Sequence, residues 1–247
     1  MTAIPALTPR RFRQAIAELS ARDRDLARIC ERHGPPVLRA RPSGFPALLR
    51  IIVEQQLSVA SARAIWGRLE GILGAVTPER LLSFDDVMLR SAGLSRPKLV
   101  YARGLADAVM SGDLDSGRLA MLDDEAAIEE LVRIKGIGRW TAEIYLLSAL
   151  GRPDVWPVDD LAIATAAGRV KGLDARPTRA ELLAMGEAWR PWRSVAARLL
   201  WHYFRSALMA PGTGAFDAPR KASGKAPGKT ARRAAKRKRT KPRKVAR

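Results

Sequence analysis

Three features of the 247-residue chain predict an all-α fold. Apolar residues recur at helical spacing, capping residues precede several of the apolar runs, and almost nothing alternates with period two for long enough to build a sheet. With 47% apolar composition the chain can bury a core in one large or two small domains.

Along the chain, residues 9–32 keep helical spacing with short interruptions, and His33-Gly34-Pro35-Pro36 ends them. Residues 45–56 and 59–70 predict two apolar helices. Thr77 followed by Pro78 opens a short helix, because threonine caps and proline suits the first turn. Ser95 caps a helix running to about Met110, and Asp123 or Asp124 opens one that ends near Arg133. Thr178 with Glu181 forms a capping box. A long helix from Pro191 to about Met209 is stopped by Pro211-Gly212-Thr213-Gly214.

The formal charge of +19 is unevenly spread. No acidic residue follows Asp217, whereas 14 of the 44 basic residues lie from Arg220 to Arg247, leaving about +5 on the first 217 residues. The expected division is a helical core over 1–210 and a disordered polybasic tail over 211–247, too poor in apolar residues to fold. Such an arm suits a polyanion, most simply nucleic acid. A membrane partner is not expected: no amphipathic helix or lipidation signal adjoins the tail, and no 18-residue apolar run occurs. Cys30 is the single cysteine, so neither an internal disulfide nor a cysteine-rich metal cluster can form. A cytoplasmic, nucleoid-associated monomer is the expectation.

The most informative stretch is Leu131-Val132-Arg133-Ile134-Lys135-Gly136-Ile137-Gly138-Arg139-Trp140-Thr141-Ala142. A Gly-x-Gly turn between two helical segments lets the backbone turn tightly and approach a ligand closely. The free amides of the second helix then meet a phosphate. Ile134 and Ile137 anchor this hairpin, over 131–142, while Lys135 and Arg139 add positive charge. A bare Gly-x-Gly is an ordinary turn; the flanking pattern is what predicts a DNA-binding helix–hairpin–helix.

Trp156-Pro157-Val158-Asp159-Asp160-Leu161 follows after one helix and a loop. Either aspartate can cap the helix that begins there, and a capped helix is the plain reading of the segment alone. Next to a phosphate-binding hairpin, however, a carboxylate gains nothing in binding a polyanion, which suggests chemistry such as stabilising a developing cation.

With Ile51-Ile52-Val53-Glu54-Gln55-Gln56-Leu57-Ser58-Val59-Ala60, Gly93-Leu94-Ser95-Arg96-Pro97-Lys98 and Trp189-Arg190-Pro191-Trp192-Arg193-Ser194, these motifs resemble the helix–hairpin–helix DNA glycosylase superfamily. Within it they are most similar to the DNA-3-methyladenine glycosylase II group, over about residues 45–206. The resemblance implies a two-lobed helical fold in which the N-terminal segment, 1–44, packs with the C-terminal helices. It implies hydrolysis of the N-glycosidic bond of alkylated bases in double-stranded DNA during base excision repair.

The essential aspartate would be Asp159, third in Pro-Val-Asp, with Asp160 as its capping or packing neighbour. Trp140 and Trp201 match base-pocket positions, and Ile144 stands where an aromatic wall would be expected. Gln56 takes the place of the intercalating wedge, or else bridges a helix junction. Gly136, Ile137, Gly138 and Thr141 join Lys135 and Arg139 as DNA-binding residues. Where relatives with lyase activity carry a nucleophilic lysine, this chain has Trp140, which implies a monofunctional enzyme. No cofactor is implied beyond a monovalent cation on hairpin backbone carbonyls, and no metal is expected on side chains.

Trp156 and Trp192 read as core residues, and His33 and His202 stand without a companion at metal spacing. A non-catalytic helix–hairpin–helix binder is the alternative function. Asp159, Trp140 and Trp201 together discriminate against it, since a pure binder needs none of the three.

Overall fold

The computed structural model describes residues 4–39 and 42–208, all helix and loop with no strand among them. The expected tail, 211–247, lies outside the described residues. In chain order the helices are α1 (Pro9–Arg22), α2 (Arg24–His33), α3 (Phe45–Glu54), α4 (Val59–Leu73), α5 (Pro78–Ser83), α6 (Asp86–Ser91), α7 (Arg96–Met110), α8 (Ser116–Met121), α9 (Asp124–Val132), α10 (Arg139–Ser148), α11 (Leu161–Val170), α12 (Arg179–Glu187) and α13 (Arg193–Tyr203). A π-helical turn, Phe204–Leu208, extends α13.

Two lobes result. In one, α7 packs against α3, α5 and α6, α4 packs on α3 and α6, and α8 on α9. In the other, α13 packs against α1, α2 and α11. Thus the N-terminal helices meet the C-terminal one, and polar ties on buried tryptophans fix the junction. Trp189 donates its indole N–H to Asp23 at 2.8 Å, and Trp192 donates to Glu18. Asp23 also caps α2 and accepts from Lys171. The Trp189-Arg190-Pro191-Trp192-Arg193 motif therefore builds the lobe: Arg190 and Arg193 both pair with Asp154. Trp156 and Trp192 are core residues, as their plain reading held. Trp156 sits edge-to-face on Trp189 and donates to Leu182 O.

Capping residues start the helices where expected. Thr77, Ser95, Asp123 and Thr178 each accept a first-turn amide, and Glu181 completes the capping box. Three differences have physical causes. The first apolar helix stops at Glu54 rather than running to Gln56, because Gln55 turns to an extended ψ of 132° and Gln56 follows at a left-handed φ of 54°. The last helix begins at Arg193 rather than Pro191, where Asp154 accepts the Arg193 amide. Helices α6 and α8 have six residues each, too few to show a period, although Asp85 and Asp115 cap them.

Candidate DNA-binding and catalytic site

The hairpin spans the end of α9 and the start of α10. Leu131 and Ile137 are buried, and the turn closes with Ile137 N–H donating to Ile134 O at 3.0 Å. Gly136 has φ 92°, and a Cβ there would lie 2.2 Å from the Tyr101 ring, so both conformation and packing require glycine. Gly138 differs. It is exposed, its φ is −86°, and a Cβ would meet nothing. It occupies the N-cap of α10 without a side-chain cap, leaving the first amides of that helix for an external anion. Lys135 is exposed beside the turn.

Two expected contacts point elsewhere. The Arg139 guanidinium is held by both oxygens of Glu125, at 2.6 and 2.8 Å, and its Nε donates to Glu143 at 3.0 Å. Its charge is thus engaged within the protein. Thr141 is buried, and its hydroxyl accepts from Gln55 at 3.0 Å. Burial, partly countered by Arg139 and reinforced by Asp159 and Glu125, pushes the Glu143 carboxyl up to about 7. Its Oε2 is buried with no partner.

At the start of α11 the two aspartates separate. Asp159 is half-exposed and pairs with Arg179 at 3.0 Å. Asp160 is buried, caps α11 through the Ile163 amide at 2.9 Å, and accepts two indole N–H bonds. Trp140 donates to its Oδ2 at 3.0 Å and Trp201 to its Oδ1 at 3.1 Å. The expected pocket tryptophans therefore converge on one carboxylate, and it belongs to Asp160 rather than Asp159. Trp140, Ile144 and Trp201 are each partly exposed. Ile144 follows Trp140 by four residues on α10 and so shares its face.

The Gln56 turn connects α3 to α4, whose N-terminus Ser58 caps. Gln56 is exposed, while Gln55 turns inward. A broad groove lined by Val59, Ala60, Arg63, Ala64, Gly67 and Arg68 begins beyond this turn and includes none of the expected base-pocket residues. The described residues contain no cluster of three or more metal-ligating side chains. The hairpin carbonyls of Ile134 and Gly136 already accept one bond each, and a carbonyl's second lone pair leaves capacity for a monovalent cation. Such an ion would hold the turn and add no chemistry.

Sequence reasoning gave no structural role to Gln55, Lys98, Tyr101, Glu125 or Glu143. Of these, Gln55 and Lys98 lay within motifs that carry the resemblance, and Glu143 carried a local signal, a charge four residues after Arg139 on one helix face.

Residues 49–193 match the HhH-GPD superfamily of base excision DNA repair proteins. The DNA-3-methyladenine glycosylase 1 of Schizosaccharomyces pombe is 33% identical over 180 residues, 71% of this chain and 79% of the relative. The structure of S. pombe 3-methyladenine DNA glycosylase in complex with abasic DNA superposes with a TM-score of 0.73, over 78% of this chain and 98% of that one. A DNA-3-methyladenine glycosidase of Bacillus halodurans, 35% identical, superposes with a TM-score of 0.68 over 85% of this chain and 95% of its own. The chain belongs to the HhH-GPD superfamily of base excision DNA repair proteins.

Proposed function

We propose that this protein is a monofunctional DNA glycosylase that releases alkylated bases from double-stranded DNA, with Asp160 as the catalytic carboxylate. The observation that carries the reading is the convergence of the Trp140 and Trp201 indoles on Asp160, beside a hairpin helix with uncapped amides. Relatives named as 3-methyladenine glycosylases support it, one of them bound to abasic DNA, the product that base hydrolysis leaves. The finer placement in the DNA-3-methyladenine glycosylase II group rests on the Trp189-Arg190-Pro191-Trp192-Arg193-Ser194 motif. The cytoplasm, on the nucleoid, is the location we propose, from the single cysteine Cys30 and the basic tail.

A base inside a duplex is inaccessible, so it must first be turned out of the stack. The hairpin amides grip the backbone while Gln56 enters the gap. An indole donates its N–H in the ring plane, so its face remains available to a cationic alkylated base. The glycosidic bond then breaks with its electron pair leaving on the base, which departs neutral. Positive charge grows on the sugar, and the Asp160 carboxylate, fixed by three N–H donors, stabilises it. Water adds to the anomeric carbon and gives up a proton to solvent. Trp140 has no amine with which to form a Schiff base, so the strand remains intact.

Asp160→Asn should abolish single-turnover release of 3-methyladenine while duplex binding persists, and Asp159→Asn should retain most of the activity. Alkali-revealed abasic sites measure both. Full activity in Asp160→Asn would overturn the assignment.

A further inference from the structure

Gln55 precedes the wedge in sequence, yet its side chain reaches across to the hairpin. Its Nε2 donates to Gly136 O and to the Thr141 hydroxyl, both at 3.0 Å. These partners are the turn glycine and the buried first-turn residue of α10, the two ends of the phosphate-binding loop. One amide group therefore bridges wedge turn and hairpin across 81 residues of sequence.

Helix α7 fastens both sides of this bridge. Lys98 donates its ammonium to Val53 O at 2.8 Å and Gln55 O at 2.6 Å, closing the free carbonyls at the end of α3. One turn further along α7, the Tyr101 ring covers Gly136 closely enough to exclude a Cβ. Gln56 follows at once in the left-handed region, where a non-glycine residue persists only if its surroundings hold it.

We propose that Gln55 is a positioning residue that locks the wedge turn to the DNA-gripping hairpin, so that backbone binding fixes where Gln56 enters the duplex. Gln55 touches neither the reacting atoms nor, from its inward direction, the phosphates. Its loss leaves the hairpin amides and the basic residues in place, so undamaged DNA is still bound. What weakens is eversion, because the wedge now samples several positions instead of one. The inference rests on the glycosylase reading for its consequence in base release, but base eversion is observable without any excision.

The test uses the full chain and a duplex carrying 2-aminopurine, whose fluorescence rises on unstacking. Gln55→Met keeps the length of the side chain and removes both donated bonds. It should lower the everted fraction by about ten-fold, the scale of two ordinary hydrogen bonds, with affinity for undamaged duplex within about two-fold of wild type. Thr141→Val should show a smaller loss of the same kind. The double variant should match Gln55→Met alone, because one partner of the bond is already gone. On an alkylated duplex, kcat should fall while KM holds.

Wild-type eversion in Gln55→Met, or additive losses in the double variant, would overturn the proposal. So would a parallel loss of undamaged-duplex affinity, which marks a collapsed hairpin. If Gln55→Met does not fold, Thr141→Val decides alone by the same eversion-to-affinity comparison. A wild-type chain that everts 2-aminopurine yet excises no lesion would refute the glycosylase reading and leave the positioning role standing.

Discussion

Asp160 and Asp159 are neighbours whose substitutions should differ because their surroundings differ. Asn at 160 presents an N–H where Trp140 now donates, setting donor against donor, and removes the charge proposed to stabilise the sugar. Asn at 159 loses only a half-exposed pair with Arg179, the kind of contact worth about 0–1 kcal/mol. The sequence could not separate the two: either can cap α11, and the capping register decides which turns inward. The two tryptophans were marked only by the family resemblance, whereas their common partner depends on where α11 begins.

Glu143 yields a pH prediction at the same scale. Burial raises its carboxyl from an ordinary 4.5 to about 7, so the folded state holds the proton more tightly than the unfolded chain does. Below the unfolded value the group imposes no ionisation cost; as pH rises from about 4.5 to 7 that cost grows and stability falls, then levels. Glu143→Gln should therefore gain on the wild type between pH 5 and pH 8, by at most about 3 kcal/mol. Denaturant melts at the two pH values measure it, and an unchanged difference would show that Glu143 ionises freely.

Among the elements, the hairpin separates stability from binding within three residues. At Gly136, alanine must accept φ 92° and displace the Tyr101 ring, a combination that should cost about 1–3 kcal/mol or more. At Gly138, alanine meets nothing and its backbone is ordinary, so the fold should be indifferent. The added methyl instead stands where a phosphate must come close to the α10 amides. Gly138→Ala should keep the wild-type Tm within a few degrees and weaken duplex affinity, whereas Gly136→Ala should lower both. Thermal melts and fluorescence anisotropy distinguish the two; equal melting losses would deny that Gly138 is an outward-facing position.

Several of the elements were legible through their caps, because Ser95, Thr77 and Thr178 mark helix starts by local chemistry alone. What escaped were relations between elements. Gln55 looks like any polar helix end until α3 and the hairpin are brought together, and Arg139 looks like a phosphate ligand until Glu125 is placed against it.

For the whole molecule, charge is divided in a way that binding should report. The first 217 residues carry about +5, with several arginines tied up by carboxylates, while 14 basic residues follow in the last 30. Each basic group that meets a phosphate releases condensed counterions and adds about 0.9 to the slope of log affinity against log salt. Much of the salt dependence should therefore reside in the final segment, and specificity in the core that holds Asp160. Removing residues 218–247 should flatten that slope and weaken affinity for undamaged duplex at low salt. It should leave single-turnover excision at saturating enzyme nearly unchanged, since Asp160, Trp140, Trp201 and the hairpin all remain. Titrations at several salt concentrations, beside the excision assay, separate these effects. An unchanged slope would show that the basic segment does not meet DNA, and a collapse of excision at saturation would show that it contributes to the site itself.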